Sequence, residues 1–474
     1  MTPSMTEASK PGWSLPGDLA LPEDAQISYI KVDGTVPWYS LFPCHYGDLP
    51  SDNSRAGRTR FERLFLIGKC STVLSSDALR LAVAEAKSGK DVKRYELAIQ
   101  AFSQVAPSDP DAAFDKQWFE ATKQTVRAET DKLEHELKGY KNNLIKESIR
   151  MGTDDLASHY HATGDLASAS KAYARLKDNC TTPSHFAAMH LKNINVAIDR
   201  GDWLGVQQAV ARYKSGPKPE DEQSKNSPKI CAAAGLALLG QGNYLDAAHQ
   251  FLAAEPTLGD TYNEVLTAND VAVYGGLCAL ASMDRIELQR RVLENNQFRN
   301  YLELEPHIRR AISFFCSSKF RSCLDILEEY RADYLLDIHL QRHIPGLYTQ
   351  IRTKSIQQYA VPFSRVSLEA MAKVFAPEVV GGIAAPTDIS SPFVQELIRL
   401  IENGTLDARI DLEKGLLVSK HTDPRRDVIK EALESVQEYV NEAHLRLIRT
   451  NIINAGLEVR APAAMTDEGV LGWS

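Results

Sequence analysis

A short turn recurs in the middle of this chain and constrains its fold more than any other feature. It reads Gly164-Asp165-Leu166, then Gly201-Asp202-Trp203, then Gly242-Asn243-Tyr244, so that the glycines are 37 and 41 residues apart. Glycine can end a helix in the left-handed conformation without a Cβ clash, and the Asp or Asn after it can cap the next helix. Apolar residues at helical spacing lie on both sides of each turn. The pattern therefore predicts repeated units of helix, turn and helix.

The same spacing predicts two further turns, near Ser282–Asp284 and Ser317–Lys319, and a possible sixth unit at Ser88–Lys90. A single helical hairpin cannot bury its apolar face, so such units stack into a curved solenoid. The period is slightly longer than that of tetratricopeptide repeats. We therefore predict a mostly α chain with a tetratricopeptide-like solenoid of five or six hairpins over residues 61–350, with its concave surface and edges available to other proteins.

After the solenoid the apolar period changes from 3.6 to 2 within a few residues. A helix opening at Ser391 and turning at Asn403-Gly404 is followed by apolar alternation that predicts strands Leu406–Asp411 and Leu416–Ser419. An amphipathic stretch at Ser364–Phe375 predicts the helix before them. Together these elements predict a winged helix over residues 351–421, with an insertion at 376–390 that is rich in Gly and Pro.

The last predicted element is a long amphipathic helix at 422–456. It opens at Thr422-Asp423-Pro424, with an N-cap candidate and an early proline, and should stop at Asn454 or Gly456. Spacings of four and three residues form a heptad row typical of helices that pack in bundles. The row consists of Ile429, Leu433, Val436, Val440, Ala443 and Leu447.

Four other segments carry weaker signals. Residues 1–60 are rich in Pro, Gly, Ser and Asp and predict an irregular lead, and residues 457–474 predict a flexible tail. The polar run Lys214–Pro228 predicts a loop that cannot pack. The charged stretch Thr125–Lys146 predicts a long solvated helix with few core positions.

The overall charge argues against nucleic-acid and membrane partners. The net charge is −8 and the pI is near 5.9, so nothing attracts the chain to an anionic polymer or lipid surface. No signal peptide or membrane-spanning run is present, which favours the nucleus and cytoplasm. Seven cysteines without any C-x-x-C spacing favour reduced thiols over a disulfide or zinc framework.

The sequence contains no recognisable catalytic, cofactor or metal motif. The one candidate for a metal site is His159-Tyr160-His161 followed by Asp165, because H-x-H with a downstream Asp can bind zinc. Residues i and i+2 of a helix point about 200° apart, so these two imidazoles cannot easily share an ion. No phosphate-binding loop, dinucleotide-binding fingerprint or nucleophile elbow occurs. We therefore predict a chain without an active site.

The winged helix leaves two functions open, a DNA reader and a protein-assembly module. A major-groove reader needs cationic and amide side chains on its second helix and a basic wing. From Ser391 to Ser419 three cationic side chains stand against five acidic ones, a net charge of −2. The module is therefore predicted to assemble with proteins, through strand Leu416-Leu417-Val418 and through the heptad row of the last helix.

A helical solenoid followed by an acidic winged helix and a heptad helix resembles the PCI family, which includes subunits of the proteasome lid, the COP-9 signalosome and translation initiation factor three. The residues that carry this resemblance are Leu397-Ile398, Ile401, Gly404, Leu406, Ala408, Ile410-Asp411 and Gly415. Four further blocks resemble the signalosome subunit 1 family. They are Leu144–Arg175, Asn269–Val292, Tyr301–Pro306 and Leu347–Arg352.

The resemblance implies a non-catalytic scaffold of the complex that removes the ubiquitin-like protein Nedd8 from cullin-RING ligases. The implied partners are the other signalosome subunits, of PCI and metalloisopeptidase type, and cullin-RING ligases through the complex, with no cofactor and no direct nucleic-acid contact. In the PCI family the winged helices line up edge to edge and the C-terminal helices gather in a bundle. The insertion at 376–390 departs from the compact family pattern. A paralogous proteasome lid subunit and a nucleic-acid-linked adaptor are the alternatives.

Overall fold

The computed structural model describes residues 58–71, 74–216, 220–259, 261–376, 391–419 and 424–457. The described residues form two compact units, with the division after Tyr359 and with residues 374–376 grouped with the first unit. Helices dominate both units, as the sequence predicts. Among the described helices, none combines the length and apolar character needed to cross a bilayer. The predicted lead, tail and insertion lie almost entirely outside the described residues.

The first unit is a series of helices connected by short turns. In chain order they are α1 (Arg58–Cys70), α2 (Ser75–Ser88), α3 (Val92–Val105), α4 (Lys116–Asn143), α5 (Lys146–Thr163), α6 (Leu166–Leu176), α7 (Pro183–Asp199), α8 (Trp203–Ser215), α9 (Glu220–Gly240), α10 (Tyr244–Leu252), α11 (Ala268–Ser282), α12 (Arg285–Glu287), which continues as a π-helical segment at Leu288–Leu293, α13 (Asn296–Leu304), α14 (Pro306–Cys316), α15 (Phe320–Glu329), α16 (Arg331–Leu335) and α17 (Ile344–Ala360).

The repeat predicted from the turns is confirmed. Gly164, Gly201 and Gly242 all have positive φ, between 67° and 85°, and in each case the side chain of the next residue accepts a hydrogen bond from a backbone N–H of the following helix. The paired helices pack through small and large apolar residues that are fully buried, such as Ala169 and Phe251. The turns expected at 88–90, 282–284 and 317–319 also separate helices. The fold class is therefore a helical-hairpin solenoid followed by a winged helix.

The predicted loop at Lys214–Pro228 is wrong for most of its length. Helix α8 continues to Ser215, and α9 already begins at Glu220 and passes through Pro228. A proline inside a helix removes one backbone hydrogen bond, which the rest of the helix can offset. Past the proline, α9 buries a long apolar face that includes Leu236 and Leu239, and this packing stabilises the helix.

The predicted solvated helix is confirmed with different bounds. It is α4, which begins at Lys116, nine residues before the predicted start, and ends at Asn143. Of its 28 residues only Leu137 is buried. Because few of its side chains are buried, the helix depends for its stability on its many backbone hydrogen bonds, on the Asp115 N-cap and on its contact with α5.

The first helix of the chain contacts several distant helices. Arg58 in α1 pairs with Asp91 at the start of α3 and donates to the carbonyl of His161 at the end of α5. Arg63, one turn further on, pairs with Asp270 at the start of α11 at 2.6 Å. Helix α1 is therefore joined by ion pairs and a hydrogen bond to segments of the solenoid that are far from it in the chain.

The second unit contains the winged helix. Its elements are β1 (Arg365–Ser367), α18 (Leu368–Phe375), α19 (Pro392–Glu402), β2 (Ala408–Asp411), β3 (Leu416–Ser419) and α20 (Pro424–Asn454). The three strands form one antiparallel sheet in the order β1-β3-β2. Val366, Leu417 and Ile410 stand in register across it.

Two details of the predicted winged helix are wrong. The stretch Ser364–Phe375 was predicted to be helical throughout, but its first residues form β1 and the helix begins only at Leu368. The strand predicted from Leu406 begins at Ala408. In the first case β1 pairs with β3, and this long-range pairing overrides the local helical period. In the second case the N–H of Leu406 donates to the carbonyl of Leu400 at the end of α19, so the strand starts two residues later.

Candidate interaction surfaces of the C-terminal unit

Helix α20 exposes the heptad row that the sequence predicts. Five of its large side chains are between 51% and 63% exposed, and Ala443 is half-buried. Leaving aliphatic side chains in water forgoes about 1.5–3 kcal/mol each relative to burial, and contiguous exposed apolar surface marks interaction sites. The five are Ile429, Leu433, Val436, Val440 and Leu447. Their role as contacts stays a prediction.

The charges beside this row are arranged asymmetrically. The positions that flank the row carry cationic or neutral side chains, among them Lys430 and Arg446, which pair along the helix with Glu434 and Glu442 at 3.8 Å and 2.5 Å. The glutamates of this part of the helix lie away from the row. Flanking charges select the partner in helical bundles, so a helix with acidic flanks fits this row better than a second copy does.

The end of α20 carries further exposed apolar residues that are not part of the predicted heptad row. Beyond Asn441 they spread around the helix instead of following one line, and they are 40–65% exposed. The sequence already indicates an interaction site here, because a helix segment with apolar residues on all its faces is typically buried in a protein. These residues are Leu445, Ile448, Ile452 and Ile453.

The strand predicted to offer an open edge lies in the middle of the sheet. Strand β3 has β1 on one side and β2 on the other, so both of its backbone edges are already paired. Leu417 is buried within the unit, whereas Leu416 and Val418 are half-buried. The expected edge pairing through β3 is therefore wrong, and among the strands that the structure describes the unpaired edges belong to β1 and β2. Whether Leu416 and Val418 contact a partner stays a prediction.

The histidines considered for a metal site face different partners. His159 Nε2 lies 2.9 Å from the Thr130 hydroxyl, while His161 Nε2 lies 2.6 Å from a carboxylate oxygen of Asp199. This is the divergence that helical geometry predicts for positions i and i+2. Over the described residues, no group of three His, Cys, Asp or Glu side chains is arranged to hold a metal ion. The six cysteines in the described ranges are free thiols.

A small cavity of the solenoid is lined by titratable side chains that bond to one another. It has a volume of about 40 Å³, enough for one water molecule, and is lined by carboxylates and aromatic side chains. Glu305 lies 3.3 Å from His307 Nδ1, and His307 Nε2 lies 2.8 Å from the Tyr334 hydroxyl. The three groups therefore satisfy one another, and the cavity is too small for a substrate.

Comparisons with known proteins show which family the chain belongs to. A protein of Emericella nidulans named "COP9 signalosome complex subunit 1" is 66% identical over 405 residues, which cover 85% of this chain and 81% of that protein. Proteins of the same name from Neurospora crassa and Arabidopsis thaliana are 42% and 38% identical, over 87% and 85% of this chain and 92% and 89% of their own lengths. The chain belongs to the COP9 signalosome subunit 1 family.

Two family models also match parts of this signalosome chain. The model described as "PCI domain" matches residues 327–421, and that described as "26S proteasome subunit RPN7" matches residues 115–291. A Caenorhabditis elegans protein named "26S proteasome non-ATPase regulatory subunit 6" is 24% identical over 388 residues, 79% of this chain and 89% of that protein. The predicted resemblance to the PCI family and to signalosome subunit 1 is confirmed. The exposed row of α20 begins after the PCI match ends.

Proposed function

We propose that this chain is a non-catalytic scaffold subunit of the COP9 signalosome, the complex that removes Nedd8 from cullin-RING ubiquitin ligases. Membership of the subunit 1 family and the PCI domain support the proposal. The observation that carries it is the row of large apolar side chains on α20, each more than half exposed. A 31-residue helix with such a row is typical of a chain built to join other helices.

Each part of the chain has a task in this proposal. The row on α20 joins a bundle with the C-terminal helices of other signalosome subunits. The winged helix pairs with neighbouring PCI subunits through β1 or β2, whose outer edges pair with no other strand in the described residues, and not through β3. The solenoid contacts further subunits or the cullin-RING ligase, and the isopeptidase site belongs to a different subunit. The chain works in the nucleus and the cytoplasm.

The test replaces three residues of the row by aspartate, Leu433→Asp, Val436→Asp and Val440→Asp, in the tagged chain expressed in its own cells. Three carboxylates buried in a helix interface would lose their hydration without gaining hydrogen-bond or charge partners. Because this makes binding unfavourable, the chain should dissociate from the complex. The readout is native mass spectrometry of the purified assembly. The melting temperature of the solenoid should not change, because these side chains are exposed within the chain.

A matched control adds carboxylates to other faces of the same helix. Ser435→Asp with Asn441→Asp changes two exposed positions away from the row, and this variant should stay in the complex. Unchanged co-purification of the triple variant, or equal loss of both variants, contradicts the proposed role of the row. The mass spectrum also identifies the partners, and proteasome lid subunits among them would favour that paralogous assembly instead.

The proposal also states that this chain alone has no deneddylase activity. The purified full chain should leave a neddylated cullin unchanged, whereas the complex that contains it should cleave the conjugate. Cleavage by the isolated chain, measured by gel shift of the cullin, would identify it as an enzyme and overturn the scaffold assignment.

A further inference from the structure

The turn between α4 and α5 differs from the other turns of the solenoid. Its two residues are Leu144, which has φ of 56° in the left-handed region and is 81% exposed, and Ile145, which occupies the N-cap of α5 and is 56% exposed. At the corresponding positions three repeat turns use Gly followed by Asp or Asn, and the turn at 317–319 uses the small polar Ser318, with φ of 60°, followed by Lys319. Here the chain places two large apolar residues at the outer tip of a hairpin.

Both residues are unfavourable for the backbone they adopt. A left-handed conformation brings the Cβ of leucine close to its own carbonyl oxygen, and glycine avoids this contact. Isoleucine is among the poorest N-cap residues, because its side chain has no acceptor for the N–H groups of the first turn of α5. Asp165, by contrast, accepts a hydrogen bond from the N–H of Ser168. Neither Leu144 nor Ile145 recovers this loss by burial in the chain, and such strain at an exposed site points to function.

The surroundings of this turn are basic and partly apolar. Tyr140, one turn before it, packs over Gly152 and is still 37% exposed. Lys138, Lys141 and Lys146 are exposed, and none of them is within ion-pair distance of a carboxylate in the part of the chain that the structure describes. We call these three lysines, together with Tyr140, Leu144 and Ile145, the α4–α5 tip. It is a cationic, apolar projection on a chain whose net charge is −8.

We propose that the α4–α5 tip docks an acidic segment of another protein, in which Asp or Glu residues flank apolar side chains. The lysines supply charge complementarity, and the two turn residues supply apolar contact area. A lipid surface or nucleic acid fits less well, because the overall charge repels dense anions and Glu134, Glu136 and Glu147 lie on the same hairpin. This docking is independent of the row on α20.

The chain itself supplies a variant that removes the apolar contact without harming the fold. Leu144→Gly with Ile145→Asp converts this turn to the Gly-Asp pair that the repeat already uses at 164–165 and 201–202. The melting temperature of the full chain should stay equal or rise, since both changes suit the backbone. Leu204→Asp is the control, because Leu204 is also an exposed leucine near a hairpin turn but lies on α8.

The experiment places a photoreactive residue in the tip of the full chain, Ile145→p-benzoylphenylalanine, and irradiates the assembly purified from its own cells. Mass spectrometry of the cross-linked peptides should identify a segment of another protein with carboxylates around apolar residues. A synthetic peptide of that segment should bind the purified full chain, more weakly at high salt. Its affinity should fall about tenfold or more in the Leu144→Gly, Ile145→Asp variant and not in Leu204→Asp.

Several results would overturn the proposal. They are the absence of a cross-link to another protein, a cross-link to lipid or nucleic acid, and a segment without flanking carboxylates. Equal peptide binding by the double variant and the unaltered chain would do so as well. With an equal or higher melting temperature of the double variant, a loss of peptide binding in it reports on the tip and not on stability.

Discussion

At the scale of single residues, the buried pair Glu305 and His307 responds to pH. Burial raises the pKa of Glu305 to about 7, although Asn269 donates a hydrogen bond to it. Burial likewise lowers the pKa of His307 to about 4. A protonated Glu305 can donate to His307 Nδ1, and the neutral imidazole then donates from Nε2 to the Tyr334 hydroxyl. The fold therefore favours an uncharged pair up to neutral pH.

This pair makes the stability of the solenoid depend on pH in a predictable direction. Because the pKa of Glu305 is higher in the fold than its usual 4.5, its contribution is fully present below pH 4.5 and is lost as the pH rises to about 7. Glu305→Gln keeps an acceptor for Asn269 and a donor for His307 at every pH. The variant should therefore be more stable than the unaltered chain by about 3 kcal/mol above pH 7 and equal to it near pH 4.

The measurement for Glu305→Gln is the denaturant midpoint of both proteins at a series of pH values from 4 to 8. Glu303→Gln is the control, because Glu303 is an exposed glutamate two residues earlier, and within the described ranges its ion pair is with Arg299. A stability difference that does not change with pH would contradict the raised pKa of Glu305.

At the scale of elements, the repeat turns share a backbone conformation but not the same surroundings. Gly242 has φ of 81°, and a Cβ added there would meet no other atom within 4 Å. Gly164 has a similar φ, but its added Cβ would overlap the carboxylate of Asp91. Asp91 itself caps α3 and pairs with Arg58 at 2.7 Å. Sequence spacing identified both turns, but only the structure shows that one of them contacts another helix pair.

Alanine at these two glycines should therefore have unequal effects. Gly242→Ala should lower the free energy of unfolding by about 1 kcal/mol, the cost of a left-handed alanine. Gly164→Ala should cost about 2 kcal/mol or more, because it also displaces the Asp91 carboxylate from its cap and ion pair. Denaturant unfolding of the two variants and the unaltered chain gives the comparison, and equal losses would show that Asp91 moves aside freely.

In the winged helix, some elements follow from local sequence and one does not. Helix α19 and the hairpin of β2 and β3 were found because their apolar periods are local. Strand β1 was missed because it has only three residues and pairs with Leu416–Ser419, about fifty residues later in the chain. That one pairing places β3 in the middle of the sheet and moves the free edge to other strands. Long-range pairing leaves no local period from which it could be predicted.

At the scale of the whole molecule, Arg63 of α1 connects the first helix of the solenoid to its later ones. Its guanidinium lies 2.6 Å from Asp270 and 3.5 Å from Asp337, and all three side chains are buried. Although burial alone would raise the pKa of Asp270, Arg63 and the Thr267 N–H hold it below the usual range. Tyr274 donates a further hydrogen bond to Asp337. Charges more than two hundred residues apart in the chain thus form a buried ion pair.

Removal of this cation should destabilise the whole solenoid. Arg63→Met keeps most of the side-chain volume but leaves two buried carboxylates without a cation, a loss of about 3–5 kcal/mol. Arg80→Met is the control, because Arg80 pairs with Asp109 on the surface, where solvent screens the pair and its contribution to stability is small. Hydrogen exchange should show lost protection in both α1 and α11 for Arg63→Met. Loss confined to α1 would show that the two regions are not coupled.

The sequence by itself determined the helical repeats, the winged helix, the long last helix and the family, because each depends on local spacing or on residues close together in the chain. The tertiary structure decided three other matters. It carried α9 through Pro228, laid α1 across distant helices and placed β3 inside the sheet. All three depend on contacts between residues far apart in the chain, where burial and pairing outweigh local preference. The structure also distinguishes two sets of predicted contact residues, because the row of α20 is exposed whereas Leu417 is buried within the C-terminal unit.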